Sequence, residues 1–129
     1  MPRPIKAPTV YEDLTYALIG IAFSIHKQLG PIHKELIYQK AFAHELTDKM
    51  IPFTKEKQLP VSFKGEKVGV YIPDFLIDDK VIVEIKALEF IPQKAGVQLS
   101  YYLKNTGYRV GLLINFGTPK LQVRRRIYG

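Results

Sequence analysis

Apolar residues recur at steps of three and four positions early in the chain, which is the spacing of one helix face. Thr9 and Glu12 precede this run with the spacing of a capping box, and Gly30-Pro31 ends it. The apolar positions on this face are Leu14, Ala17, Leu18, Ile21, Ala22, Ile25 and Leu29. The pattern therefore predicts a first helix between the capping box and Gly30.

The rest of the chain alternates between helix and strand patterns. A second helix is predicted over residues 32–50, where Pro52 closes a run of apolar positions. Strands are predicted over residues 53–63, 68–77 and 81–88, a third helix over residues 93–105, and two last strands over residues 108–115 and 121–128. Gly107 follows the third helix, as is typical of a helix C-terminus. The predicted element order is α-α-β-β-β-α-β-β.

This order predicts an α/β fold, in which helices flank a mixed central β-sheet as a three-layer sandwich. A chain of 129 residues is long enough for one domain and too short for two. The proline-rich residues 1–8 are expected to form a flexible N-terminal arm, and residues 9–129 a single domain.

Two acidic residues and one basic residue occupy even-numbered positions of the middle hairpin. Residues of equal parity share one face of a strand, so Asp74, Glu84 and Lys86 are predicted on the same side of the sheet. If the turn is centred on Asp79, Asp74 lies directly opposite Glu84, and their Cβ atoms are about 5 Å apart. The sequence thus predicts a carboxylate pair with an amine two positions further along.

The residues around these charges are apolar on both faces of the hairpin. The odd-numbered face carries Phe75, Ile77, Val81, Val83 and Ile85, and the even-numbered face carries Ile72, Leu76, Ile82 and Leu88. Strands that are apolar on both faces are covered on both sides. The three charged groups are therefore expected on a half-buried surface of the sheet.

Two carboxylates at this distance repel each other, and partial burial makes it harder to keep both ionised. Lys86 offsets one charge, and a divalent cation would offset the rest. Mg²⁺ suits such a site because it takes oxygen ligands and commonly uses one or two carboxylates. The alternative is a structural trio in which Asp74, Lys86 and Glu84 form salt bridges only with one another. Because buried ion pairs contribute little to stability, the pattern favours a functional site.

Composition and charge exclude several kinds of site and indicate one kind of binding partner. No cysteine is present, so a disulfide, a thiolate metal site and a cysteine nucleophile are excluded. No apolar stretch reaches the ~20 residues that span a bilayer, and no signal peptide is recognisable. A cytoplasmic protein without a membrane partner is therefore expected. The formal net charge of +7 suits a polyanion such as nucleic acid.

The middle hairpin also carries a recognisable motif. Pro73-Asp74, followed after nine residues by Glu84-Ile85-Lys86, resembles the PD-(D/E)XK motif of a large nuclease superfamily. Residues 30–38, with His26 just before them, resemble the GxxExxY family within that superfamily, and so do residues 98–107 and 110–116. The resemblance covers nearly the whole chain after residue 10 and implies a restriction-endonuclease-like fold.

The resemblance also implies a function, namely hydrolysis of phosphodiester bonds in nucleic acid with Mg²⁺ or Mn²⁺ as cofactor. Asp74 and Glu84 match the metal-binding acids of the family, and Lys86 matches the lysine that positions or activates the attacking water. Glu35 matches a helical glutamate that joins the metal site, and Gln98 matches a glutamine on the helix after the motif. We expect DNA rather than RNA as the partner, and we also expect that the protein can form a homodimer.

Several residues keep two interpretations at this point. His26, Tyr38 and Lys94 are candidates for accessory roles in the site, although His26 also suits packing at a helix end. The arginines at 124–126 suit either an edge strand protected by charge or a rim that contacts phosphates. The tyrosines at 101 and 102 suit either core packing or stacking on unpaired bases.

Two departures from the family pattern leave catalytic activity open. Ile32 stands where the family has the first glycine of GxxExxY, and residues 93–97 lack a histidine that family members often carry. A catalytically inactive module that binds nucleic acid, or a regulatory interaction module on the same fold, therefore remains an alternative to the nuclease.

Overall fold

A computed structural model describes residues 10–129, within which three helices and seven strands follow one another. The predicted arm over residues 1–8 and Thr9 of the predicted capping box lie outside the described residues. In chain order the elements are α1 (Glu12–Leu29), α2 (Glu35–Asp48), β1 (Phe53–Lys55), β2 (Leu59–Phe63), β3 (Glu66–Tyr71), β4 (Phe75–Ile77), β5 (Val81–Lys86), α3 (Gln93–Thr106), β6 (Val110–Asn115) and β7 (Gln122–Ile127).

The first helix confirms the apolar pattern. Its buried side chains are Thr15, Leu18, Ile21, Ala22 and Ile25. Acidic residues occupy its first turn and basic residues its last turn, and these charges stabilise the helix by interacting favourably with its dipole. Gly30 ends the helix with a φ of 71°, a backbone conformation that glycine adopts without strain.

The second helix begins at Glu35, three residues later than the pattern at 32–50 suggests. Lys34 has an extended backbone, with a ψ of 153°, and no side chain caps the helix. The chain from Gly30 to Lys34 is instead organised by Tyr38, whose hydroxyl accepts the N–H of His33 at 3.1 Å and donates to the carbonyl oxygen of Gly30.

The main sheet has the strand order β1-β4-β5-β6-β7. The pair β5–β6 is parallel, and α3 supplies its crossover, while the other neighbouring pairs are antiparallel. The sheet is therefore mixed, as predicted, and β5 lies at its centre.

Two of the predictions were wrong, because each of these predicted single strands is two separate strands in the structure. The segment 53–63 is divided into β1 and β2, and the segment 68–77 into β3 and β4, so that β2 and β3 form a separate two-stranded hairpin. Glu56 interrupts the first segment with a φ of 53°. Pro73 falls at the break in the second segment, because proline lacks the N–H that a central strand must donate.

Two apolar cores lie on opposite faces of the main sheet. The odd-numbered residues of β4 and β5 pack against α1 and α2, and the even-numbered Leu76 and Ile82 pack against α3 and the β2–β3 hairpin. This arrangement confirms the predicted three-layer sandwich. None of the helices in residues 10–129 has the length and apolar content needed to cross a membrane.

Candidate active site

The predicted register of the middle hairpin is confirmed. Phe75 pairs with Val83, and Ile77 pairs with Val81 across a turn in which Asp78 and Asp79 have positive φ values. Continuing this register by one position places Asp74, at the start of β4, opposite Glu84 on β5.

The two acidic residues are joined by reciprocal hydrogen bonds to backbone. The Asp74 N–H donates to Oε1 of Glu84 at 2.8 Å, and the N–H of Ile85 donates to Oδ2 of Asp74 at 2.7 Å. The Gln39 side chain also acts as a hydrogen-bond donor that lowers the pKa of Asp74, and the Tyr71 hydroxyl does the same for Glu84. Each carboxylate is therefore held by a backbone N–H and lies beside one polar side chain.

Burial and mutual repulsion raise the pKa of both acids. Burial followed by the charge of Asp74 raises the pKa of Glu84 to about 7. The pKa of Asp74 is also raised, mainly by burial, although its hydrogen bond from Ile85 acts in the opposite direction. The site therefore carries negative charge that its own hydrogen bonds do not fully stabilise.

Lys86 lies near these acids without pairing with them. It occupies the same face of β5 as Glu84 and is half-buried, and its charge lowers the pKa of both Asp74 and Glu84. Among residues 10–129, however, no carboxylate oxygen lies within the 4 Å of a salt bridge to this amine. The alternative of a structural trio, in which Asp74, Lys86 and Glu84 form salt bridges with one another, is therefore wrong for the described residues.

Glu35 approaches the same site from the helical layer. It is the first residue of α2, and burial followed by the charge of Asp74 raises the pKa of its carboxyl group, while Lys86 lowers it. Glu35 and Glu84 are thus each within electrostatic range of Asp74 and Lys86.

Two of the accessory candidates, His26 and Tyr38, interact with residues outside the acidic site. The imidazole Nε2 of His26 bonds to the carbonyl oxygen of Thr118 at 2.8 Å, and Tyr38 stacks on Phe116 with 4.6 Å between ring centroids. Tyr38 is fully buried, and its hydroxyl is occupied by the turn before α2. Both side chains support the end of the sheet that carries Lys86, because the Phe116 N–H donates to the Lys86 carbonyl oxygen at 2.9 Å.

The two candidates on α3 do not reach the acids. Lys94 and Gln98 are both exposed, and neither side chain forms a hydrogen bond or salt bridge within the described part of the chain. The structure therefore places them on the outside of α3, where only a bound partner would contact them.

Tertiary structure adds two polar residues that the sequence did not single out. Gln39 lies one turn after Glu35 on α2, and its side chain lowers the pKa of Asp74. Glu56, in the left-handed turn after β1, raises the pKa of Asp74 through its charge, and its N–H donates to the Asp74 carbonyl oxygen at 3.2 Å. Neither residue carries a motif, so sequence spacing contains no signal for them.

The loop after Lys86 is anchored by a buried amide. Asn115 is fully buried, and its Oδ1 accepts the N–H of Leu88 at 2.8 Å and of Gly117 at 3.2 Å. Its Nδ2 donates to the Leu88 carbonyl oxygen at 2.9 Å and to Gln122 at 3.1 Å. A polar residue at the end of an otherwise apolar strand was the available sequence signal.

The arginines of β7 hold backbone carbonyl groups, with alternate residues on opposite sides of the strand. Arg124 donates to the carbonyl oxygens of Ile91 and Pro92 at 3.1 and 3.0 Å, which fixes the start of α3. Arg125 donates to the Val10 carbonyl oxygen on the other side of the sheet. These contacts give the two guanidinium groups a structural role.

The chemistry of the donor atoms suits a hard divalent cation. Asp74 and Glu84 present oxygen ligands from two neighbouring strands, and one or two carboxylates with water molecules are sufficient for Mg²⁺. Within residues 10–129, no three His, Cys, Asp or Glu side chains are arranged to surround a metal ion, so Glu35 does not complete a three-ligand site with Asp74 and Glu84. The donor set that fits a divalent cation is the pair Asp74 and Glu84.

Comparison with known proteins identifies the superfamily of the chain. The model of the PD-(D/E)XK nuclease superfamily matches residues 12–126. No curated protein shows significant similarity to the chain. Among solved structures, an alkaline exonuclease from Laribacter hongkongensis is similar at 12% identity and a TM-score of 0.40, over 67% of this chain and 52% of that protein. The chain thus spans about half the length of the exonuclease. The family match and the mixed sheet between helical layers establish the restriction-endonuclease-like fold.

Proposed function

Since this chain belongs to the PD-(D/E)XK nuclease superfamily, we propose that it hydrolyses phosphodiester bonds in nucleic acid at the site formed by Asp74, Glu84 and Lys86. The observation that carries this proposal is the pair of carboxylates tied to the hairpin backbone, beside an amine that forms no salt bridge within residues 10–129. The resemblance of residues 30–38 and 98–107 further supports membership in the GxxExxY family.

In the proposed reaction, the acidic side chains of the site bind a divalent cation. Nucleases of this superfamily generally use divalent metals. Asp74 and Glu84 would hold Mg²⁺ or Mn²⁺ through their carboxylate oxygens, and Glu35 would add negative charge from α2. When bound, the cation supplies Lewis-acid polarisation of the phosphate and lowers the pKa of a bound water.

Lys86 supplies positive charge at the reacting phosphate. Its amine is half-buried on the face that carries Glu84 and forms no salt bridge within the described residues. A charge held in a partly buried site stabilises the negative charge that develops in the transition state more strongly than in water. Because the amine forms no salt bridge with a carboxylate of the described residues, it can donate a hydrogen bond to a phosphate oxygen or to the attacking water.

The substrate we propose is DNA. The net charge of +7 favours a polyanion, and counterion release makes such binding sensitive to salt. Lys94 and Gln98 lie exposed on α3, where they would contact the backbone of a bound strand rather than the reacting group. A cytoplasmic location and a homodimer remain part of the proposal.

The experiment is a cleavage assay on single-stranded DNA, duplex DNA and RNA, each with Mg²⁺, Mn²⁺ or EDTA. We expect cleavage only with a cation, and we expect Glu84→Gln to abolish it, because the amide still accepts the Asp74 N–H but loses the charge. Asp48→Asn is the matched control, since Asp48 ends α2 on the helix that Glu35 begins.

Absence of cleavage by the wild-type protein on every substrate would overturn the proposal. If the same protein binds nucleic acid with an affinity that Glu84→Gln leaves unchanged, the site is catalytically inactive and the chain is a binding module on a nuclease fold.

A further inference from the structure

A tyrosine hydroxyl beside the proposed active site lacks a hydrogen-bond partner. Tyr71, the last residue of β3, is only 6% exposed, and its hydroxyl has no partner in residues 10–129. A buried hydroxyl normally finds a partner because leaving it unpaired costs the free energy of its lost hydration. The position of this hydroxyl therefore calls for a specific explanation.

The ring of Tyr71 is held in place on both sides. Its backbone pairs with Leu59 in the β2–β3 hairpin, and its ring stacks on Tyr102 of α3 with 3.8 Å between centroids and 8° between planes. Tyr71, Leu59 and Leu99 belong to the same apolar core. This packing fixes the direction of the hydroxyl, which cannot turn towards solvent without breaking the stack.

The fixed hydroxyl lies beside the Glu84 carboxylate. The hydroxyl acts as a side-chain hydrogen-bond donor that lowers the pKa of the Glu84 carboxyl group, although the two groups do not meet at normal hydrogen-bond geometry within the described residues. Glu84 uses Oε1 for the Asp74 N–H. A small movement of the Glu84 side chain would therefore bring the hydroxyl into a full hydrogen bond.

We propose that Tyr71 is a positioning residue of the nuclease site, whose hydroxyl donates a hydrogen bond to the Glu84 carboxylate when that carboxylate holds the divalent cation. The inference rests on the proposed function of Glu84 as a metal ligand. A donor on the outer side of a ligating carboxylate fixes the orientation of the carboxylate and stabilises its charged form. The stacked ring supplies this donor at a fixed angle, so Glu84 does not have to reorganise when the cation binds.

This role makes Tyr71→Phe an informative variant. Phenylalanine keeps the ring, the stack on Tyr102 and the apolar contacts, and removes only the hydroxyl. Because that hydroxyl forms no hydrogen bond of normal geometry within the described residues, its loss should leave the stability of the protein in EDTA unchanged or higher. A hydroxyl with a purely structural role would instead lower the melting temperature on removal.

The experiment measures Mn²⁺ affinity by calorimetry and the melting temperature in EDTA, for the wild-type protein and Tyr71→Phe. We expect the variant to bind Mn²⁺ about 10- to 100-fold more weakly, with an unchanged or higher melting temperature in EDTA. The control is Tyr108→Phe, which removes a hydroxyl that donates to Asp79 at 2.7 Å near the hairpin turn. This control should leave Mn²⁺ affinity unchanged.

An unchanged Mn²⁺ affinity in Tyr71→Phe would overturn the inference, whether or not the melting temperature falls. The wild-type measurements judge the proposed function separately. Mn²⁺ binding without any cleavage overturns the nuclease proposal and leaves Tyr71 to be judged by the ratio of the two affinities. A wild-type protein that binds no Mn²⁺ overturns both.

Discussion

The backbone N–H of Asp74 donates a hydrogen bond of 2.8 Å to the side chain of Glu84, so one acidic residue positions the other. The Asp74 carboxylate in turn accepts the N–H of Ile85, which directly follows Glu84 in β5. The two carboxylates are therefore tied to the same hairpin ladder and move with it. Such rigid placement on strands limits the reorganisation needed when a cation binds.

Glu84 makes the metal-free protein less stable as the pH rises. Its pKa is raised from 4.5 to about 7 in the folded state, so between these values the folded state holds a proton that the unfolded state has lost. The stability contribution is complete below pH 4.5 and is lost as the pH rises through 7. The difference is on the order of 3 kcal/mol, at 1.36 kcal/mol for each pKa unit.

Glu84→Gln should remove this pH dependence. In urea denaturation with EDTA present, we expect the variant to be more stable than wild type at pH 8 and similar to it near pH 4. Glu66→Gln, at the exposed turn of the β2–β3 hairpin, should follow the wild-type curve. A variant that loses stability at pH 8 would show that the Glu84 charge is already compensated in the folded protein.

Glu35→Gln should weaken cation binding without unfolding α2. The Glu35 carboxylate lies within range of the charges of Asp74 and Lys86, so its removal lowers the negative charge of the site. We expect the Mn²⁺ affinity to fall about tenfold, since a charged group outside the direct ligands still contributes to the affinity of such a site. The measurement is calorimetry, with Glu45→Gln on the same helix as the matched variant. Equal affinities in the two variants would exclude Glu35 from the site.

Asn115→Ala should destabilise the protein by about 1–3 kcal/mol, because it leaves the partly buried N–H and carbonyl group of Leu88 without partners. The loop that follows Lys86 would also lose its anchor. Chemical denaturation tests this expectation, with Asn105→Ala on the exposed end of α3 as the control. Equal stability of the two variants would contradict the anchoring role.

Gly117→Ala and Gly20→Ala should have opposite effects on stability. A Cβ at Gly117 would lie 2.4 Å from the Leu88 carbonyl oxygen and 2.6 Å from the Ala87 carbonyl carbon, and these backbone atoms can shift only together with the loop. We expect a loss of about 1–3 kcal/mol from this overpacking. A Cβ at Gly20, in the middle of α1, meets nothing within 4 Å, so alanine should add about 0.5–1 kcal/mol. Thermal unfolding of both variants decides the comparison.

Much of the fold was predictable from local sequence patterns. The period of apolar residues in α1 and the alternation in β4 and β5 specify which side of each element is buried, since these periods follow from backbone geometry. The register of the middle hairpin was also predictable, because a slip of one residue would move every apolar side chain to the wrong face. The breaks at Glu56 and Pro73 were missed, since each lies between two stretches that both carry strand-forming apolar residues.

The candidate site was predictable in part. Asp74, Glu84 and Lys86 lie close in sequence on paired strands, so their spacing alone brings them together. Gln39, Glu56 and Tyr71 are brought to the same place by a helix, a turn and a separate hairpin, and no local spacing records that packing. His26 and Tyr38 were named from sequence and are held by Thr118 and Gly30 instead.

The sequence by itself determined which residues carry charge, which faces are apolar, and that two acids share one side of a hairpin, because these properties depend on chemistry and on backbone periods of two and 3.6 residues. Only the tertiary structure decided that Lys86 forms no salt bridge within the described residues, that the buried hydroxyl of Tyr71 lies beside Glu84, and that Asn115 holds the loop after β5. Those facts depend on how distant segments pack, and packing is set by the whole core rather than by neighbours in the chain.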